Sequence, residues 1–264
     1  MHFFSIHLFA ALAFATEAQI EILSSCPSGW TDVSTELTTL FVTDGQCNDD
    51  ARATIRAAFH DCFPAGGCDG SLLLELARPE NIPLGYTVIK LADLAETHDV
   101  SMADMFQFGA GVFHPSVRTY TSLTVGISAH AIASCQNGPR ITTYIGRKDS
   151  CTPAPTGQIP GHSLDAQTAQ AVFAARGFST QELSALLGAH TAARQFATNI
   201  AQMGASLDST PGVWDTLYYS QTLNGTAPFS IATDTSMSQD GQASQYYQEF
   251  AGNKTVWDAN FSSA

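Results

Sequence analysis

DDARATIRAAFHDCF, residues 49–63, decides how the chain is read. Ile55, Phe59 and Phe63 recur at helical spacing, and Asp49 and Asp50 stand at the N-terminal end, where the helix dipole favours acids. Arg56 and His60 are four residues apart, so on a helix both leave from one face. Such a pair suits peroxide: an imidazole moves a proton and a guanidinium stabilises charge developing on oxygen. Spacing alone does not distinguish it from a surface Arg/His pair, so the surroundings must decide.

Working outward, Asp61 is followed by Gly67-Cys-Asp69-Gly-Ser71, which gathers carboxylate, carbonyl and hydroxyl oxygens on a Gly-rich turn. Calcium takes about six to eight such oxygens. The spacing is not that of an EF-hand, and an ordinary polar turn is the alternative. Farther on, LSALLGAHT (183–191) is an apolar helix end carrying His190. A lone histidine beside leucines is usually a core residue; it is also what an axial haem ligand requires, a neutral imidazole shielded from water. Leu207 to Asp215 forms a second oxygen-rich loop.

Helical periodicity dominates the remainder, over residues 84–98, 101–112, 163–176 and 179–191. Ser101-Met-Ala-Asp and Ser179-Thr-Gln-Glu read as capping boxes, the first with Asp in place of Glu. Strand alternation is confined to Ile141–Ile145, and Cys151 to Gly161 reads as a crossing loop. The fold expected is mainly α and two-lobed.

The first residues, MHFFSIHLFAALAFATEAQ, read as a signal peptide over 1–18, too short an apolar run to span a bilayer. No later run is long enough for a membrane helix. Six cysteines behind such a leader suggest disulfides in an oxidising compartment, and the absence of a CxxC pair argues against a zinc ribbon. Sequons at Asn224, Asn253 and Asn260 agree with a secreted glycoprotein. A net charge of −13 repels a phosphate backbone, so nucleic acid is a poor partner. No partner-binding surface is legible, and a monomer is expected.

Together, Arg-x-x-x-Phe-His-Asp (56–61), Gly-x-Asp-x-Ser (67–71), Leu-Leu-x-x-His-Thr (186–191) and Asp-Ser-Thr-Pro-x-x-x-Asp (208–215) closely resemble the secreted fungal haem peroxidases, class II of the plant peroxidase superfamily. The resemblance implies haem b between a distal lobe (19–145) and a proximal lobe (146–264). It implies His60 as distal acid/base, Arg56 as its cationic partner, Phe59 over the haem, and Asn81 holding the Nδ1 proton of His60, with Glu75 orienting Asn81. His190 would bind the haem iron and Asp234 accept its other N–H. Asp61, Gly67, Asp69 and Ser71 would hold a distal calcium; Thr191, Asp208, Thr210, Val213 (by its carbonyl) and Asp215 a proximal one. The activity implied is reduction of hydrogen peroxide through a ferryl porphyrin-radical intermediate, with oxidation of small phenolic or dye-like donors. A catalytically impaired haem- and calcium-binding secreted protein is the alternative. Of the bridges, Cys47–Cys135 matches the family and Cys62–Cys68 is similar to one in plant secreted peroxidases, which leaves Cys26 with Cys151.

The chain departs from that family in places. The positions of the family's manganese-binding carboxylates fall on Asp49, Ala53 and Phe196, so one acid survives and manganese oxidation is not expected. The surface tryptophan of ligninolytic members falls on Ala185. Residues 112–128, VFHPSVRTYTSLTVGIS, interrupt an expected helix with Pro115 and read either as an inserted loop or as a retained intron.

Overall fold

The computed structural model describes residues 28–110, 125–128 and 130–264. The expected leader, Cys26 and residues 112–124 of the expected insertion lie outside them. The described residues form helices α1 (Ser28–Phe41), α2 (Asp49–Cys62), α3 (Gly85–Thr97), α4 (Met102–Ala110) and α5 (His130–Ser134) on one side of a cavity. Helices α6 (Ala166–Ala174), α7 (Thr180–Leu187), α8 (Leu217–Asn224), α9 (Ala232–Gln239), α10 (Ala243–Gly252) and α11 (Lys254–Ser263) build the other. Strand is scarce: β1 (Val42–Thr43) pairs with β2 (Gln46–Cys47), and β3 (Val125–Ser128) with β4 (Thr142–Thr143), both antiparallel. The mainly helical class is as expected. The strand read over Ile141–Ile145 shortens to two residues, and the last four residues of the expected insertion are its partner.

Local chemistry sets the limits of α2. The Asn48 side chain accepts from the backbone N–H groups of Asp50 (3.0 Å) and Ala51 (3.2 Å), two of the donors a helix start leaves without partners. Just before it, Asp44-Gly45 turns the β1–β2 hairpin with positive φ at both residues, the requirement of a tight two-residue turn. The hairpin ends at Cys47, which is bonded to Cys135 beyond α5 and ties the start of α2 to the far side of the lobe. Small residues let α2 and α4 approach closely: a Cβ on Gly109 would stand 3.0 Å from Thr54 Cγ2.

On the opposite side, α7 opens on the full capping box expected from Ser179 and Glu182. The other expected box is only half made. Ser101 Oγ accepts from the Asp104 N–H (3.1 Å), but the Asp104 carboxylate turns away to Arg147 Nη1 (3.1 Å) and to the N–H groups of Gly146 and Arg147. A buried carboxylate gains more from a guanidinium than from a neutral cap N–H.

Burial of α7 against α10 and α11 is aromatic. Trp214 and Trp257 stack at 5.0 Å, and Tyr218, Tyr219, Tyr247 and Phe250 pack around them with no measurable exposure. Trp257 Nε1 donates to the Ala185 carbonyl (3.0 Å), so the position at which a surface tryptophan was sought is sealed under α11. The α7 helix gives way to a 3₁₀ turn at Gly188. A Cβ there would come within 2.3 Å of Tyr219 Oη and 2.4 Å of Trp257 Nε1. Gly188→Ala is therefore expected to destabilise the fold by about 1–3 kcal/mol, read as a lowered denaturation midpoint. A midpoint equal to that of the parent would show that the packing has room to yield.

Candidate active site

One cavity of about 510 Å³ separates the two sets of helices. His60 and Arg56 of α2 line it, as do His190 and Asp234 from α9's side, among largely apolar neighbours that include Phe59, Phe173, Leu186 and Leu187. The last turn of α2 and the 3₁₀ turn after α7 thus bring together two imidazoles 130 residues apart in the chain.

On α2, His60 is 3 % exposed, and its Nδ1 lies 2.6 Å from Asn81 Oδ1. An amide oxygen can only accept, so the proton sits on Nδ1 and Nε2 carries the lone pair. Arg56 Nε points at that lone pair from 3.1 Å. Burial, and then the adjacent guanidinium, push the His60 pKa down to about 3 against the opposing pull of Asn81. The imidazole is neutral above that value, a base with its acceptor nitrogen toward the cavity. Asn81 is fixed in turn, its Nδ2 donating to the Glu75 carbonyl (3.1 Å). The Glu75 carboxylate does not take part: it accepts from the Ala154 N–H (2.6 Å) and from Arg78 Nη1 (2.6 Å). The glutamate acts on Asn81 through its backbone, while its side chain anchors the crossing loop. Arg78 was not foreseen, although its i,i+3 spacing from Glu75 offered the signal.

His190, in the turn after α7, has Nδ1 2.9 Å from Asp234 Oδ2. That leaves its Nε2 as the ring nitrogen outside this bond. The edge of Tyr218 holds the ring at 5.6 Å, a contact for which the sequence offers no signal. Asp234 is buried, and its Oδ1 has no hydrogen-bond partner among the described residues. A carboxylate of this kind strengthens the imidazole as an electron donor to a metal. The residues present therefore fit haem: an apolar slot and one imidazole nitrogen of His190 left without a hydrogen bond among the described residues.

The expected calcium residues collect in two places. Asp61 is 1 % exposed and accepts from the N–H groups of Gly70 (3.1 Å) and Leu72 (3.2 Å); Asp69 Oδ1 accepts from Ser71 N–H, and Ser71 Oγ is buried without a partner among the described residues. Gly67 stands on the same turn at positive φ, and the Cys62–Cys68 disulfide brackets it. In the second set, Thr191 Oγ1 donates to Asp208 Oδ2 (2.6 Å) and Thr210 Oγ1 to Asp215 Oδ2 (2.9 Å). Val213 closes that loop with its N–H on the Thr210 carbonyl (2.8 Å). Burial pushes the Asp61 pKa up to about 7 and that of Asp208 up to about 6. Neither has an ion-pair partner among the described residues, so each is a buried carboxylate suited to a cation. Among those residues no group of three or more His, Cys, Asp or Glu is gathered for a metal; each set offers two carboxylates with hydroxyl and backbone oxygens instead.

Of the other expectations, Cys151 is exposed and unpaired among the described residues. Asn224 is exposed, whereas Asn260 uses both amide atoms, donating to the Val256 carbonyl and accepting from Gln181. Among the described residues no helix is long and apolar enough to cross a membrane.

A helical fold with an oriented imidazole on each side of one apolar slot is the architecture of a haem peroxidase. The chain belongs to the peroxidase family, whose model matches residues 33–253. Its similarities place it with the fungal class II members of the plant peroxidase superfamily. It is 31 % identical over 225 residues to the peroxidase of Arthromyces ramosus, covering 75 % of this chain and 57 % of that protein. It is 32 % identical over 198 residues to the low-redox potential peroxidase of Taiwanofungus camphoratus, covering 74 % and 53 %. Ligninase LG2 of Phanerodontia chrysosporium is 27 % identical over 268 residues, covering 88 % and 67 %. The chain spans little more than half the length of the first two relatives.

Proposed function

We propose that this chain is a secreted haem peroxidase that reduces hydrogen peroxide and oxidises small phenolic or dye-like donors. The observation that carries the reading is the complementary state of two imidazoles on one cavity. His60 is oriented by a neutral amide and His190 by a carboxylate, and each turns away from its orienting group with a lone pair. A protein that merely stored haem would not need a buried base held free of metal.

His190 would hold haem through Nε2, with Asp234 behind it and Phe59 against the macrocycle. Haem supplies the redox chemistry when bound. His60 Nε2 would take a proton from one oxygen of hydrogen peroxide and return it to the other, whose departure as water would draw on the two electrons that bound haem supplies. Arg56 now covers that nitrogen, so the guanidinium must shift as peroxide arrives, and it then stabilises charge on the departing oxygen. Asn81 keeps His60 in the tautomer that can accept. Phenols suit a site without a manganese-binding cluster, and the low-redox potential relative supports donors of that class.

Titrating the protein with haem tests the reading. A Soret band, followed by a peroxide-induced spectral change that a phenol reverses, is expected. A protein that takes up haem yet shows no response to peroxide would favour the impaired alternative, and one that takes up none would remove both.

Asp61, Gly67, Asp69 and Ser71 form the distal calcium site of this proposal, and Thr191, Asp208, Thr210, Val213 and Asp215 the proximal one. Chelation by EGTA is expected to lower the Tm by about 5–10 °C, the amount that one ion held well above its Kd contributes in a domain of this size. Calcium should restore it in a calorimetric scan. An unchanged Tm would remove the metal from the account.

A further inference from the structure

The hydrogen bonds around His190 leave one oxygen and one hydroxyl proton unaccounted for. Asp234, on α9, is 1 % exposed; its Oδ2 takes the His190 Nδ1 bond at 2.9 Å, and its Oδ1 has no partner among the described residues. Helices α8 and α10 pack against α9 and gather Tyr218, Tyr219 and Tyr247 into one cluster, all three fully buried. Tyr219 is satisfied, since its Oη donates to the carbonyls of Ser184 (2.9 Å) and Ala185 (3.2 Å). The hydroxyls of Tyr218 and Tyr247 have each other, Oη to Oη at 2.9 Å. One bond between two hydroxyls uses one proton, so the pair holds a second that has no acceptor among the described residues.

The spare proton and the spare oxygen lie in one neighbourhood. The Tyr218 ring meets the His190 ring edge-on at 5.6 Å, and the same imidazole holds Asp234. Burial first, and then the Asp234 charge, push the Tyr218 and Tyr247 hydroxyls well above the pKa of an ordinary phenol, so both keep their protons and remain donors. A buried carboxylate oxygen left unpaired is costly, and a water bridging two polar groups is nearly as good as a direct bond. We propose that Tyr218 and Tyr247 are positioning residues for His190: through a bridging water, their pair gives its spare proton to Asp234 Oδ1 as a hydrogen bond. Asp234 then pulls less strongly on the His190 Nδ1 proton, which reduces electron donation by the imidazole and raises the potential of bound haem. This rests on the haem reading of His190 and adds what sets the strength of that ligand.

The test replaces both tyrosines with phenylalanine, which keeps the rings and removes the paired oxygens together, so the fold should persist. In a spectroelectrochemical titration of the haem-loaded protein, the equilibrium constant for one-electron reduction should fall about tenfold, a downward shift of about 59 mV. Tyr218→Phe and Tyr247→Phe should each give part of that shift, and they carry the test should the double variant not fold. The iron–imidazole stretch in the Raman spectrum of the reduced protein should rise in the same order. Tyr219→Phe, which loses a hydroxyl bonded to helix carbonyls, should lower the denaturation midpoint and leave the potential where it is. In an Asp234→Asn background the tyrosine substitutions should move the potential little, because the oxygen they serve has changed. A parental potential and stretch in the phenylalanine variants, with haem bound, would overturn this inference and leave the peroxidase reading standing. An equal shift in Tyr219→Phe would assign the effect to the polarity of the whole cluster and overturn it too. Failure of the parent protein to bind haem would overturn both.

Discussion

Replacing His60 with leucine is expected to lower the second-order rate with hydrogen peroxide by about 10²- to 10⁴-fold while haem binding is retained. The residue is buried, neutral and not aimed at a metal ligand's partner, so its contribution is proton transfer rather than coordination. Stopped-flow mixing with peroxide measures it directly. Asn81→Val should produce a smaller loss in the same constant, because the imidazole would remain but its tautomer would no longer be dictated. The pH dependence has a definite sign. Burial and Arg56 hold the His60 pKa down to about 3, so the base form persists as the solution is acidified and is lost only as pH falls through that value. The acid limb of the peroxide reaction should therefore lie near pH 3, well below the roughly 6.5 of an ordinary histidine. A limb at the ordinary value would mean that His60 is not the group being titrated, and a leucine variant with unimpaired peroxide kinetics would dismiss it as the base.

His190→Ala is the second large effect. Removing the proximal nitrogen should abolish tight haem retention, with imidazole added to the buffer restoring the Soret band by occupying the space the side chain leaves. Asp234→Asn supplies the graded comparison. Outer partners of metal-bound histidines are worth about 10- to 100-fold in metal affinity or activity, so this variant should still bind haem, with weakened function. Asp234 Oδ2 is 2.9 Å from His190 Nδ1, and no second described residue of the cavity makes that bond. Haem titration of both variants distinguishes the roles. Parental haem affinity in His190→Ala would place the iron elsewhere.

The helix that carries Arg56 and His60 was legible because its acidic first turn and its apolar period agree. The Ser179 capping box was legible for the same reason. The C-terminal helices α8 to α11 were not, since their sequences mix tyrosine, serine, threonine and asparagine with no clean apolar stripe. They fold because Trp214, Tyr218, Tyr219, Tyr247 and Trp257 bury one another, a gain that is not local. The same limit explains Asp104 and Glu75. Each was assigned one partner and made others, Arg147 across the chain for Asp104, and for Glu75 the distant Ala154 N–H together with Arg78 three residues on.

Residue order alone singled out Arg56, His60 and His190 as the candidates for peroxide chemistry, because motif identity and helical spacing are properties of short segments. Whether the two imidazoles meet at one slot and which face of each is free were settled by packing. Those facts depend on distances between segments more than a hundred residues apart, and no local preference encodes them.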